Sequence, residues 1–139
     1  MRPLIEMTEL PISADEVAAR LADPAIGAIV TFVGVVRGLT GERETLHLEY
    51  EAYPGMAERV LQQIADEVCA RWPGIRQVSI VHRVGQLQVG DTAIVIALSA
   101  SHRAQTFDAL HYAIDRVKEI APIWKKEIWS DGAEWRSEQ

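Results

Sequence analysis

An α+β domain with a mainly antiparallel sheet is what this sequence predicts, on three observations. Strand-like and helix-like segments do not alternate strictly, as a doubly wound parallel sheet requires; they run roughly strand, helix, strand, strand, helix, strand, strand, helix, hairpin. Neighbouring strands are joined by short turn signals, Gly90-Asp91 and Ser130-Asp131-Gly132, which suit antiparallel partners. A chain of 139 residues with 48% hydrophobic content suffices for one compact domain, residues 1–139, without disulfide or metal staples.

Taken in order, the SADE run at 13–16 reads as a capping box, with Ser13 accepting a backbone N–H three residues on and Glu16 reaching back. A short helix to about Asp23 follows, closed by Pro24. Residues 27–37, GAIVTFVGVVR, are rich in β-branched residues and apolar nearly throughout, which predicts a strand buried on both faces or paired in the sheet interior. A polar loop spans 38–44, and 45–52 alternates as a second strand. Pro54-Gly55 then opens a helix with Val60, Leu61, Ile64, Val68 and Trp72 at helical spacing, ended by Pro73-Gly74. Residues 77–84 and 92–101 read as strands joined through Gly85 and Gly90-Asp91. A long amphipathic helix over 104–120 is expected to bury Phe107, Leu110, Ile114 and Val117, with Pro122 stopping it. Residues 123–129 and 133–135 close the chain as a hairpin.

Composition narrows the function. A net charge of −6 argues against a general nucleic-acid binder. No stretch approaches the roughly 18 apolar residues of a spanning helix, so a cytoplasmic protein that meets no membrane is expected. Cys69 stands alone, which fits a reducing compartment and leaves no dithiol or structural zinc motif. The four histidines show no metal-ligand spacing, and Walker, dinucleotide and serine-hydrolase signatures are absent, so neither metal nor cofactor is expected. Yet between His102 and Lys126 five basic residues face three acidic ones, so a positive spot sits in an acidic chain. Such a spot suits a small anionic ligand.

The candidate residues each admit a plain reading beside the functional one. Lys118, one residue past Val117 on the apolar stripe, is either a solvated lysine favoured by the helix C-terminus or a partly desolvated base, nucleophile or anion holder. In the next strand, period two puts Lys125 and Glu127 on one face and Trp124, Lys126 and Ile128 on the other, as an exposed charge pattern or as a site. His102-Arg103, at the start of the long helix, is a cap or surface pair, or an anion site using free N–H groups and a planar guanidinium. Arg37 ends an apolar strand as a simple charge or as a ligand. Cys69, with only Arg71 as a basic neighbour, is expected to be inert.

Five blocks in order, GVVR at 34–37, EAYPGM at 51–56, HRVGQLQVGD at 82–91, SASHR at 99–103 and KEIAPIWKKE at 118–127, closely resemble the large, catalytic subunit of molybdopterin synthase over about residues 26 to 135. The resemblance implies an α/β-hammerhead fold: an antiparallel sheet with flanking helices and a small inserted subdomain. It implies a homodimer within a heterotetramer whose outer ends hold a small ubiquitin-like sulfur-carrier subunit. The carrier's Gly-Gly tail, ending in a thiocarboxylate, would deliver two sulfurs to cyclic pyranopterin monophosphate in molybdenum cofactor biosynthesis. By position, Lys118 matches the family's essential lysine and Lys125 its second pocket lysine. Lys126 and Glu127 fall in the same substrate-contacting stretch, and Val35, Val36, Arg37, His102 and Arg103 match segments lining the anionic pocket, part of which is expected to cross the dimer interface. A non-catalytic effector-binding module and a homologue that keeps docking but has lost catalysis are the competing readings. Retention of Lys118, Lys125, Glu127, His102 and Arg103 together argues against the last.

Overall fold

A computed structural model of the chain describes residues 3–130 and 132–137. Asp131, the middle of the expected hairpin turn, lies outside the described residues. In chain order the elements are β1 (Ile5–Thr8), α1 (Ala14–Ala19), β2 (Ala28–Val35), β3 (Leu39–Thr40), β4 (Arg43–Ala52), α2 (Met56–Arg71), β5 (Ile75–Arg83), β6 (Gly85–Gln88), β7 (Thr92–Ala100), α3 (Thr106–Ile120), β8 (Ile123–Trp129) and β9 (Gly132–Ser137). They form a four-stranded sheet in the order β1-β5-β7-β2 and a five-stranded sheet in the order β3-β4-β8-β9, with β6 on the other side of β4. Every pairing is antiparallel except β1 with β5.

The first sheet is built around β5 and β7, whose runs VSIVH and VIALSA leave no solvent-facing side. On one face, Leu61, Ile64 and Val68 of α2 and Ala109, Leu110, Ala113 and Val117 of α3 pack over Val78, Ile80, Ile96 and Leu98. On the other, Val17 and Leu21 cover Val81, Val95 and Ala97. Each fully buried Leu, Ile or Val of this double-sided core contributes roughly 1.5–3 kcal/mol. The Ser13 hydroxyl accepts the Glu16 N–H at 3.3 Å, as the capping motif predicts. The Glu16 carboxylate accepts the Arg20 Nε–H on both oxygens, at 3.1 and 2.8 Å. Arg20 also reaches Glu6 of β1 at 2.8 Å, which ties α1 to the sheet edge.

Three expectations are corrected. Strand β2 is an edge strand, not an interior one, and its residues alternate between half-buried and exposed. Its inward residues Val30 and Phe32 pack on the core, whereas Ile29, Val33 and Val35 face outward. Uniform hydrophobicity cannot distinguish a strand covered by its own chain from one awaiting another cover. Phe107 is 70% exposed, because α3 starts at Thr106 and its buried stripe is Thr106, Ala109, Leu110, Ala113 and Val117. The segment between β5 and β7 is itself a strand, β6, paired with β4 from His47 to Tyr50.

The second sheet takes its strands from three places along the chain: between β2 and α2, between β5 and β7, and after α3. It is therefore an insertion in space rather than a separate stretch of sequence. Its inner face buries Leu48, Tyr50, Leu87 and Ile123 together with Val36 and Ala93 from the first sheet's end of the chain.

Helices α2 and α3 are braced across their exposed flank by Glu67, which accepts from Arg116 at 2.9 and 3.1 Å and from the Tyr112 hydroxyl at 2.7 Å. The Arg116 hydrogen bonds first, then those of Gln63 and Tyr112, hold the Glu67 carboxyl down from the usual 4.5 to about 2. A depressed folded-state value stabilises the protein above pH 4.5, and the benefit fades as pH falls from there toward 2. Glu67→Gln should accordingly lower the melting temperature at pH 7 by a few degrees. The gap to the parent should narrow as melts are repeated from pH 4.5 down to 2.

Candidate active site

Where the two sheets meet α3, the surface opens into a cleft of about 330 Å³. Its walls are Phe32 to Val35 and Arg37 from the end of β2, Leu48 and Tyr50 from β4, Ala93, Ile94 and Ile96 from β7, and Ile114, Val117 and Lys118 from α3, with Lys125 and Glu127 from β8. Most of the lining is apolar and four charged side chains, Arg37, Lys118, Lys125 and Glu127, share it, as in a site that orients a ligand by a few polar contacts.

Local structure explains why these charges converge. Helix α3 ends at Ile120, and Pro122 prevents its continuation. The Ile123 N–H returns to the Ala121 carbonyl at 2.8 Å, so the chain turns at once into β8. Lys118 in the last helical turn and Lys125 two residues into β8 thereby border one cavity. Period two then brings Glu127 to the same face as Lys125, and in the ladder Lys125 lies opposite Tyr50 and Glu127 opposite Leu48. Glu127 is only 5% exposed, with Oε1 3.4 Å from the Thr45 hydroxyl, whereas Lys118 is exposed at the rim. Arg37 is placed by its neighbour. The Val36 N–H donates to the Asp91 carbonyl at 3.0 Å, and the Val36 carbonyl accepts from Gly90 at 2.9 Å, fixing the exit of β2 against the Gly90-Asp91 turn.

Within one chain the predicted residues thus divide. Val35, Arg37, Lys118, Lys125 and Glu127 line the cleft. Val36 turns inward, 3% exposed, and Lys126 lies on the far face of β8, its Nζ 5.6 Å from the Trp135 ring centroid. His102 and Arg103 are exposed in the loop before α3, at the helix end opposite Lys118, and a 15-residue helix is about 22 Å long. Cys69 is half-buried, and burial first, then Asp66, pushes its thiol up, as befits an unreactive cysteine. Among the described residues no cluster of three or more His, Cys, Asp or Glu could hold a metal, and no helix is long and apolar enough to cross a membrane.

Tyr50, Leu48, Phe32 and Ile114 also line the cleft and carried no functional signal in the sequence, since apolar residues in strands and helices read as core. Tyr50 is nearly buried, with its ring edge-on to His82 at 5.0 Å. Gly34 was legible only as part of the GVVR block. A Cβ there would stand 2.6 Å from Ile94 Cγ2, at the point where the β2–β7 register shifts.

A cation-flanked cleft on a two-sheet α+β scaffold has the charge and shape of a site for small anionic ligands. Known proteins of this class place it further. The chain matches the family of MoaE proteins over residues 7–120. It is 52% identical over 131 residues to the molybdopterin synthase catalytic subunit of Halalkalibacterium halodurans, covering 94% of this chain and 83% of that one. The molybdopterin synthase structure from Staphylococcus aureus superimposes with a TM-score of 0.93 at 46% identity, over 99% of this chain and 100% of that one. The fold alone, at 16% identity and a TM-score of 0.75, is shared over 99% of this chain and 92% of the other with a structure of the complex of subunits 1 and 2 of the molybdopterin-converting factor of Helicobacter pylori. The chain belongs to the MoaE family, the catalytic subunits of molybdopterin synthase, sulfur-transferring enzymes of molybdenum cofactor biosynthesis. The expected fold and activity are those found.

Gly34→Val should cost about 1–3 kcal/mol by overpacking against Ile94 and narrow the cleft. A lower denaturation midpoint together with weaker binding of an anionic cleft ligand would register both effects.

Proposed function

We propose that the cleft joins two anions: the C-terminal thiocarboxylate of a small ubiquitin-like carrier subunit and cyclic pyranopterin monophosphate. The observation that carries the reading is the meeting of Lys118, Lys125 and Arg37 on one largely apolar cavity in a chain without a reactive thiol. Sulfur must then arrive on a partner, and the recurrence of the fold in a two-subunit complex supports such a carrier. Lys125 holds the incoming carboxyl terminus, deep beside Glu127. The thiocarboxylate sulfur bonds to a pterin side-chain carbon as a C–O bond of that carbon breaks, its oxygen leaving as water or on the opened phosphate ester. Water then cleaves the acyl–sulfur bond, which leaves a thiolate on the pterin and the carrier as a carboxylate. Lys118 stabilises the oxyanion of that cleavage or acts as its base, from a rim position that the bound tail would shield from water. Two such rounds form the dithiolene. Arg37, His102 and Arg103 hold the phosphate, while Val36 and Lys126 border the site by their main chain. The reaction belongs in the reducing cytoplasm, where a thiocarboxylate survives.

His102 and Arg103 reach the cleft in this reading from a second copy of the chain. Strand β2 is eight residues long, carries no charge and leaves one edge unpaired by the described residues. Edge strands that stay solvated are normally blunted by lysine or proline, and β2 holds neither. Antiparallel pairing of β2 with its two-fold mate sets the Val35–Arg37 end of one copy beside the Gly27–Ala28 end of the other. Ala28 is the ladder partner of Ala100, so the His102-Arg103 loop of the second copy comes to the first copy's cleft. The dimer then carries one carrier at each outer end.

Lys118→Ala should reduce conversion of the pterin by at least about 100-fold while the carrier still binds, and normal conversion would sink the assignment. Equal mixing and reassociation of Lys118→Ala with His102→Ala/Arg103→Ala protomers should restore about one quarter of parental activity, because half the dimers hold one intact composite site. No recovery on mixing would mean that each site is built within one chain.

A further inference from the structure

We propose that Thr106, supported by Gly27 and Ser101, is a positioning residue for the pterin phosphate, acting through the backbone of the His102-Arg103 loop. The inference rests on the reading of His102 and Arg103 given above.

Residues 101–105 are all exposed, yet the segment is tied down at three points, at the Ala100 and Arg103 carbonyls and at the Ser101 hydroxyl. Behind the loop, the Thr106 side chain is wholly buried, and its hydroxyl donates to the Arg103 carbonyl at 2.7 Å; the Thr106 N–H adds a second bond to the same oxygen at 3.2 Å. In front, the Ser101 hydroxyl donates to the Ala25 carbonyl at 3.1 Å. Alongside, the Gly27 N–H donates to the Ala100 carbonyl at 2.9 Å, and the Ser101 carbonyl comes so near Gly27 that a Cβ there would be 2.5 Å from its oxygen. Between the clamps Gln105 holds φ of +70°, the one non-glycine residue with positive φ among those described.

A left-handed backbone is disfavoured for a residue with a Cβ and persists where its surroundings over-determine it. Here the surroundings fix a turn whose exposed products are the side chains of His102 and Arg103. Fold stability gains little from ordering so exposed a loop. A ligand does gain, because groups held in place before binding need not be ordered during it. The fixed turn also presents both side chains from the N-terminal end of α3, where the helix dipole favours an anion.

The test is steady-state conversion by the assembled enzyme with thiocarboxylated carrier, varying the pterin. Thr106→Val removes the hydroxyl at nearly constant volume and should raise the KM for the pterin about fivefold, the equivalent of one ordinary hydrogen bond. The kcat at saturation and the affinity for the carrier should stay within about twofold. Thr106→Ser, which keeps the hydroxyl, should return KM to within about twofold of the parent. Gly27→Ala, which must displace the Ser101 carbonyl, should raise KM in the same direction. If His102→Ala/Arg103→Ala raises KM but Thr106→Val does not, the positioning role is overturned. Equal losses of kcat, KM and carrier affinity in Thr106→Val, unrelieved by serine, would likewise reduce Thr106 to a packing residue. If His102→Ala/Arg103→Ala itself leaves KM unchanged, the phosphate assignment fails instead.

Discussion

Burial of the β5–β7 pair on both faces is the constraint on which the rest of the structure hangs. Two adjacent strands without a polar side must be covered twice, by α2 and α3 on one face and by α1 on the other. That requirement sets the height and direction of α3, and α3 in turn delivers its last turn to the seam between the sheets. The second sheet adds no helix of its own. It leans its inner face on Val36 and Ala93, and the cleft is the gap left where that lean meets the end of α3.

The electrostatic character of the site follows from chain economy rather than from overall charge. An acidic protein repels anions at long range, so the positive charge gathered at the cleft acts only locally. The abrupt change from helix to strand at Ala121-Pro122 brings two lysines seven residues apart onto one cavity. The buried Glu127 beside Lys125 keeps the deep end from being uniformly positive, whereas the rim with Lys118 and Arg37 stays open to water.

Much of this was legible in the sequence because local rules and tertiary packing agree there. The Ser13 cap, the Pro122 stop, the period of β8 and the stripe of α2 all stand where their residues put them. The α+β class followed from the order of such elements, and the pairing of Lys118 with Lys125 from the resemblance. Two things were not legible. The cover of β2 is a property of neighbours, and an uncharged, largely apolar run looks the same whether it lies in a sheet centre or at an edge that another chain can meet. The aromatic and aliphatic walls of the cleft, Tyr50 and Phe32 above all, are chemically indistinguishable from core until the gap beside them is seen. His102 and Arg103 were singled out by position and resemblance, but their distance from Lys118 within one chain is set by the length of α3, which charge clustering along the sequence does not measure.

Cys69 has a consequence for how the enzyme meets its chemical surroundings. Its thiol, half covered by α2's packing and pushed toward the protonated form, presents little of the thiolate that oxidants and electrophiles attack. The scaffold's one thiol is thus a poor target, and among the described residues the sulfur left open to water is the thioether of Met56. Alkylating agents that need a thiolate should therefore spare the catalyst, whereas peroxide has Met56 to oxidise.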